Sequence, residues 1–95
     1  MKVFFERSGG FIGVPRRLSI DSDSDTPDTI EKLAHLVESS RFFDLPARFE
    51  ETLHPDSFQY KIIIEDDDRR HSVTLDETSM PEEIKPLVKY LLGKM

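Results

Sequence analysis

Phe58-Gln59-Tyr60-Lys61-Ile62-Ile63-Ile64-Glu65, then Asp66-Asp67-Asp68, then Arg69-Arg70-His71-Ser72-Val73-Thr74-Leu75-Asp76, is the stretch that decides the fold. In its first part Phe58, Tyr60, Ile62 and Ile64 alternate with Gln59, Lys61, Ile63 and Glu65. That period of two is the mark of a strand with one buried face. The aspartates make a turn, because Asp side chains hydrogen-bond nearby backbone N–H groups and tolerate turn geometry. The chain then returns over residues 69–76 with His71, Val73 and Leu75 inward. A β-hairpin is predicted, and it needs a partner layer to cover its apolar face.

That layer lies on either side of it in sequence. Downstream, Ser79-Met80-Pro81-Glu82 has the form of a capping box, and a helix is expected with Ile84, Leu87, Val88, Leu91 and Leu92 on one face. Pro86 removes one hydrogen bond early in it, which predicts an irregular first turn or a kink, and Gly93 stops it. Upstream, residues 27–40 carry Ile30, Leu33, Ala34 and Val37 at helical spacing. Thr26 is a good N-cap, Pro27 takes the first helical position, and Asp28 and Glu31 favour the positive end of the dipole. Phe42-Phe43-Asp44-Leu45-Pro46 is too apolar for an idle linker and is expected to fold back over one end of the core. Residues 47–57 are irregular and hold no assigned element.

The N-terminal part forms a second hairpin. Residues 2–7 place Val3 and Phe5 on one face, and residues 15–21 place Leu18 and Ile20 inward. The order is hairpin, helix, hairpin, helix, and the halves resemble one another: Arg16-Arg17-Leu18-Ser19-Ile20 parallels Arg69-Arg70-His71-Ser72-Val73. The expected fold is α+β, ββαββα, a four-stranded mainly antiparallel sheet with both helices on one face, in a single domain over residues 1–95.

Composition narrows the function. The 95 residues include no cysteine, so no thiolate serves as nucleophile or metal ligand. A net charge of -6 argues against nucleic acid, whose phosphates reward clustered Lys and Arg. The apolar run Val3-Phe4-Phe5 is far too short for a secretory leader, and no stretch approaches a membrane span, so a cytoplasmic protein is expected. Asp21, Asp23 and Asp25 have the alternate spacing that opens a calcium loop, but Thr26 and Lys32 occupy the positions that need Gly and Glu. A solvated turn is expected instead, with no metal and no cofactor. His35, His54 and His71 are scattered, no phosphate-binding or nucleophile motif occurs, and no catalytic residue can be nominated. An enzyme is not expected.

What stands out is Ser8-Gly9-Gly10-Phe11-Ile12-Gly13, where three of the four glycines flank two large apolar side chains. Ser8, Gly9, Gly10, Phe11, Ile12 and Gly13 are read as one loop that presents Phe11 and Ile12 to a protein partner. The turn residues Asp66, Asp67 and Asp68 are a secondary candidate for partner contact, set against a plain solvated turn.

Four stretches together resemble the emfourin family: Phe5-Glu6-Arg7-Ser8-Gly9-Gly10-Phe11, Arg16-Arg17-Leu18-Ser19-Ile20-Asp21, Phe42-Phe43-Asp44-Leu45-Pro46 and Arg69-Arg70-His71-Ser72-Val73. They span nearly the whole chain in order. The family is that of a small inhibitor of protealysin, and the resemblance implies a reversible protein inhibitor of a thermolysin-like, protealysin-type zinc metalloprotease that carries no metal itself; a monomer is expected. The alternative is a non-enzymatic interaction module, dimeric through an edge strand or the glycine loop, without inhibitory activity.

Overall fold

In a computed structural model, which describes residues 1–9, 14–47 and 57–95, the chain forms one four-stranded antiparallel sheet and two helices. The strands are β1 (Lys2–Gly9), β2 (Arg16–Asp21), β3 (Phe58–Asp66) and β4 (Arg69–Asp76), and the helices are α1 (Pro27–Ser40) and α2 (Lys85–Gly93). The spatial order β2-β1-β3-β4 places the first strand of each hairpin at the centre and the second at an edge. The two ββα halves therefore meet along the antiparallel β1–β3 pair.

Register and core agree. Val3 lies opposite Ile20 and Ile64, Phe5 opposite Leu18 and Ile62, and Ile62 opposite Val73. These residues share one face of the sheet, and all but the half-buried Leu18 are buried in one cluster with Leu33, Leu36 and Val37 of α1 and Leu87, Val88 and Leu91 of α2. Both helices thus cover the same face. The ring of Phe5 stacks on that of Tyr60, with centroids 5.7 Å apart.

α1 has the predicted bounds, and its cap is the predicted one: the Thr29 N–H donates to Thr26 Oγ1 at 3.3 Å. Its buried stripe differs by one position. Leu36 is buried and Ala34 is exposed, because Leu33, Leu36, Val37 and Ser40 face the sheet. The helix ends at Arg41, a non-glycine residue in the left-handed region with φ 54°. Residues Phe42–Asp44 then form a 3-10 turn that does close one end of the core. Phe42 is fully buried, edge-on to both Phe43 and His71, and His71 Nε2 donates to Leu45 O at 2.6 Å.

The capping box at Ser79 does not form. Ser79 turns back, its N–H and hydroxyl both donating to the carbonyl of Asp76, and a 3-10 turn at Glu82–Ile84 follows with Pro81 at its N-cap. α2 begins only at Lys85, with Pro86 in its first turn, where a missing N–H costs nothing. The expected irregular start is thus a separate 3-10 turn, and Gly93 is the last helical residue.

Candidate functional site

Two of the six glycine-loop residues belong to a strand. β1 runs on through Ser8 and Gly9, which pair with Gln59 and Phe58 of β3 after β2 has ended its pairing at Arg7 with Arg16. The strand outlasts one neighbour because the other is longer. Gly10, Phe11, Ile12 and Gly13 lie outside the described residues, so the expectation that Phe11 and Ile12 face a partner rests on the sequence. Where description resumes, Val14 is 66% exposed, the one large apolar residue so exposed among those described.

Gly9 is where glycine is required. Its φ is +87°, and a Cβ built on it would lie 2.7 Å from the carbonyl oxygen of Ser57, a backbone atom that has no side-chain freedom to move aside. The same few residues of β3 are held from the other side. The Phe58 N–H donates to Glu77 Oε1 at 3.0 Å while the Glu77 N–H returns a bond to Phe58 O at 3.0 Å. Ser57 Oγ donates to Asp76 Oδ2 at 3.3 Å. The other oxygen of Asp76 accepts from the Thr78 N–H at 2.8 Å and from its hydroxyl at 2.7 Å. Across the strands, the Arg7 guanidinium lies 4.5 Å from the centre of the Phe58 ring. The end of β1 that precedes residues 10–13 is therefore tied closely to β3 and to the turn after β4.

Electrostatics mark this end as well. Burial pushes the Tyr60 hydroxyl above its ordinary pKa, and the negative charges of Glu77 and Asp76 push the same way against the Arg7 guanidinium. None of Arg7, Ser57, Asp76 and Glu77 was singled out from the sequence. The legible signal was Asp76-Glu77-Thr78, an Asp with a hydroxyl residue two positions on, which is the pattern of a side chain closing its own turn. Its burial at 3% exposure was not legible, since Asp76 lies in the outward phase of β4 and is covered by Ser57.

The secondary candidates sit at the far end of the sheet. Asp66 ends β3 opposite Arg69, and Asp67 and Asp68 make a two-residue turn with Asp67 at φ 54°. Asp66 pairs with Arg69 at 3.5 Å, and the Arg69 guanidinium covers the Phe43 ring at 4.2 Å. A groove beside this turn is lined by Met1, Val37, Arg41, Phe43, Asp66 and Arg69. Because Lys2 stands opposite Glu65 and Gly9 opposite Phe58, the acidic turn and the glycine stretch are separated by the length of β1, roughly 23 Å at the rise of an antiparallel strand. The structure does not bring them together.

Asp21 Oδ1 accepts from the Asp23 N–H and Asp25 Oδ2 from the Asp21 N–H, each at 2.9 Å, so these carboxylates close a turn on themselves. Among the described residues no three His, Asp or Glu side chains gather as a metal would need, and no helix is long and apolar enough to cross a membrane. His35 is exposed on α1, and His54 lies outside the described residues.

The model of the emfourin family matches residues 5–92, from within β1 to the last turn of α2. The chain belongs to the emfourin family. Emfourins are protease inhibitors, so a protease is the class of partner that membership implies. No curated protein and no solved structure matches the chain. In this emfourin the matched span contains both candidate stretches, the glycine loop and the acidic turn.

Proposed function

We propose that this chain is a reversible inhibitor of a thermolysin-like, protealysin-type zinc metalloprotease, and that it blocks the active-site cleft with the stretch Ser8, Gly9, Gly10, Phe11, Ile12 and Gly13. It has no catalytic chemistry of its own. The observation that carries the reading is Gly9: a strand residue held at φ +87° against the Ser57 carbonyl, one position before a Gly-Phe-Ile-Gly sequence. A presented side chain binds tightly only if its support is already ordered, because ordering a loop on binding consumes interaction energy. The clasp between Phe58 and Glu77 and the turn closed by Asp76 provide that support on the neighbouring strand.

Enzymes of this class accept a large apolar side chain beside the scissile bond. Phe11 or Ile12 fills that pocket, each worth roughly 1.5–3 kcal/mol on burial, and the flanking glycines let the backbone come close to the cleft walls. Inhibition is then occlusion, with the enzyme's zinc left in place.

The test is a titration of the purified protein against a thermolysin-like protease. Wild type is expected to inhibit reversibly, and Phe11→Ala, with an unchanged circular dichroism spectrum, to weaken inhibition by about 2 kcal/mol, close to thirtyfold. An unchanged inhibition constant removes Phe11 as the anchor. No inhibition by wild type removes the reading.

A further inference from the structure

The face of the sheet turned away from the helices is chequered in charge. In one row Asp21, Lys2, Glu65 and Arg70 stand side by side on β2, β1, β3 and β4. Two residues along come Ser19, Phe4, Ile63 and Ser72, and two further Arg17, Glu6, Lys61 and Thr74. The first row reads minus, plus, minus, plus, and the third plus, minus, plus. Phe4 and Ile63, directly opposite each other between these rows, form the floor of a shallow depression and are half-buried, though no helix among the described residues lies over them.

This pattern is complementary to itself. A second copy turned over about a two-fold axis along the strands brings Asp21 to Arg70, Lys2 to Glu65, Glu6 to Lys61 and Phe4 to Ile63. Turned about an axis across the strands, it brings Asp21 to Arg17, Lys2 to Glu6 and Glu65 to Lys61. Opposite signs meet either way, because the sign alternates both along and across the strands. A patch of one sign would select a different molecule, whereas alternation about an apolar centre selects its own copy, the condition for an isologous interface. These rows hold four basic and three acidic side chains on a chain of net charge -6, so here two copies approach without the repulsion of their remaining surfaces.

We propose that this face is the interface of a weak, face-to-face homodimer. Ion pairs within each copy, Arg17 to Glu6 at 2.6 Å and Arg70 to Glu65 at 3.9 Å, hold the signs in position. The charges give orientation, and burial of Phe4 and Ile63 gives the attraction. Four strands about 4.8 Å apart and three rows about 7 Å apart make a patch of roughly 400 Å² per copy. That is below the usual size of a stable interface, so the dimer forms only at high concentration. The rows end short of Gly9 and Val14, and association and inhibition are read by different experiments, so the two proposals stand or fall separately.

Sedimentation velocity of the full chain, from about 10 µM to 1 mM, tests it with two double variants checked by circular dichroism. Lys2→Glu with Lys61→Glu makes the face acidic, and Glu6→Lys with Glu65→Lys makes it basic. Wild type is expected to move from monomer to dimer across the series. Each variant alone is expected to stay monomeric, and an equimolar mixture to recover the dimer, since every facing pair is again opposite in sign. A third variant, Ile63→Ser, is expected to weaken wild-type association at least tenfold. A wild type that remains monomeric throughout overturns the proposal, whether or not the variants fold. So does a dimer that persists in both double variants, or a folded mixture that does not recover it.

Discussion

The backbone of Gly9 packs directly on the carbonyl of Ser57, close enough that a methyl group on Gly9 would sit 2.7 Å from that oxygen. Neither strand can move aside freely, because Ser57 and Phe58 are tied to Asp76 and Glu77. Gly9→Ala therefore combines a left-handed φ, costing about 1–2 kcal/mol for a residue with a Cβ, with a backbone collision. We expect a loss of at least about 2 kcal/mol in urea unfolding, and weaker inhibition than wild type even at temperatures where the variant stays folded.

Arg41 offers the opposite change. It holds φ 54° at the end of α1, with its N–H donating to Glu38 O and Val37 O. Glycine adopts that conformation without the Cβ penalty, though it surrenders more freedom on folding. Arg41→Gly is expected to raise stability by about 0.5–1 kcal/mol in urea unfolding, with inhibition unchanged.

Phe42 is the plug of the core at the acidic-turn end. It is fully buried against Phe43 and His71, and truncation leaves a cavity that the 3-10 turn is poorly placed to fill. Phe42→Ala is expected to cost about 3–5 kcal/mol, enough to lower the melting temperature sharply in a chain of this size.

Tyr60 predicts the alkaline limit. Its hydroxyl titrates above the ordinary value in the folded chain, chiefly because it is buried. Between the unfolded pKa near 10 and the raised folded one, the unfolded chain has released the proton and the folded chain still holds it. Stability therefore falls as pH rises through that window. Absorbance titration should show a late-titrating phenol among the two tyrosines, absent in Tyr60→Phe.

The acidic turn and the glycine stretch are told apart by paired substitutions. Asp67→Ser with Asp68→Ser alters the turn at the far end of β1 from Gly9. If residues 10–13 carry the contact, this pair leaves the inhibition constant within about twofold of wild type, well under the effect of losing an anchor. A loss comparable to that of Phe11→Ala would move the contact to the turn.

Periodicity carried most of the fold into the open. The bounds of β4 and α1 follow from alternation and from Thr26-Pro27, signals local enough to survive in any tertiary setting. Where tertiary contacts compete with local ones the pattern misleads. Ser79 and Glu82 have capping-box spacing, yet the turn built on Asp76 engages Ser79 first. Ala34 matches the apolar stripe, but the direction in which α1 crosses the sheet buries Leu36 instead. Ser8 and Gly9 read as loop because nothing in a glycine pair reveals a third strand waiting to pair with it. The ties around Asp76 and the charge chequer depend on which residues face each other across strands, and register emerges only with the sheet assembled.

The distance between the two ends of β1 also has a practical use. The chain contains no cysteine, and the exposed Asp67-Asp68 turn lies as far from Gly9 as the sheet allows. Asp68→Cys would give a single thiol for a fluorophore at a point remote from the proposed protease contact. The inhibitor would then act as its own reporter, its tumbling slowed when a protease is captured at the other end.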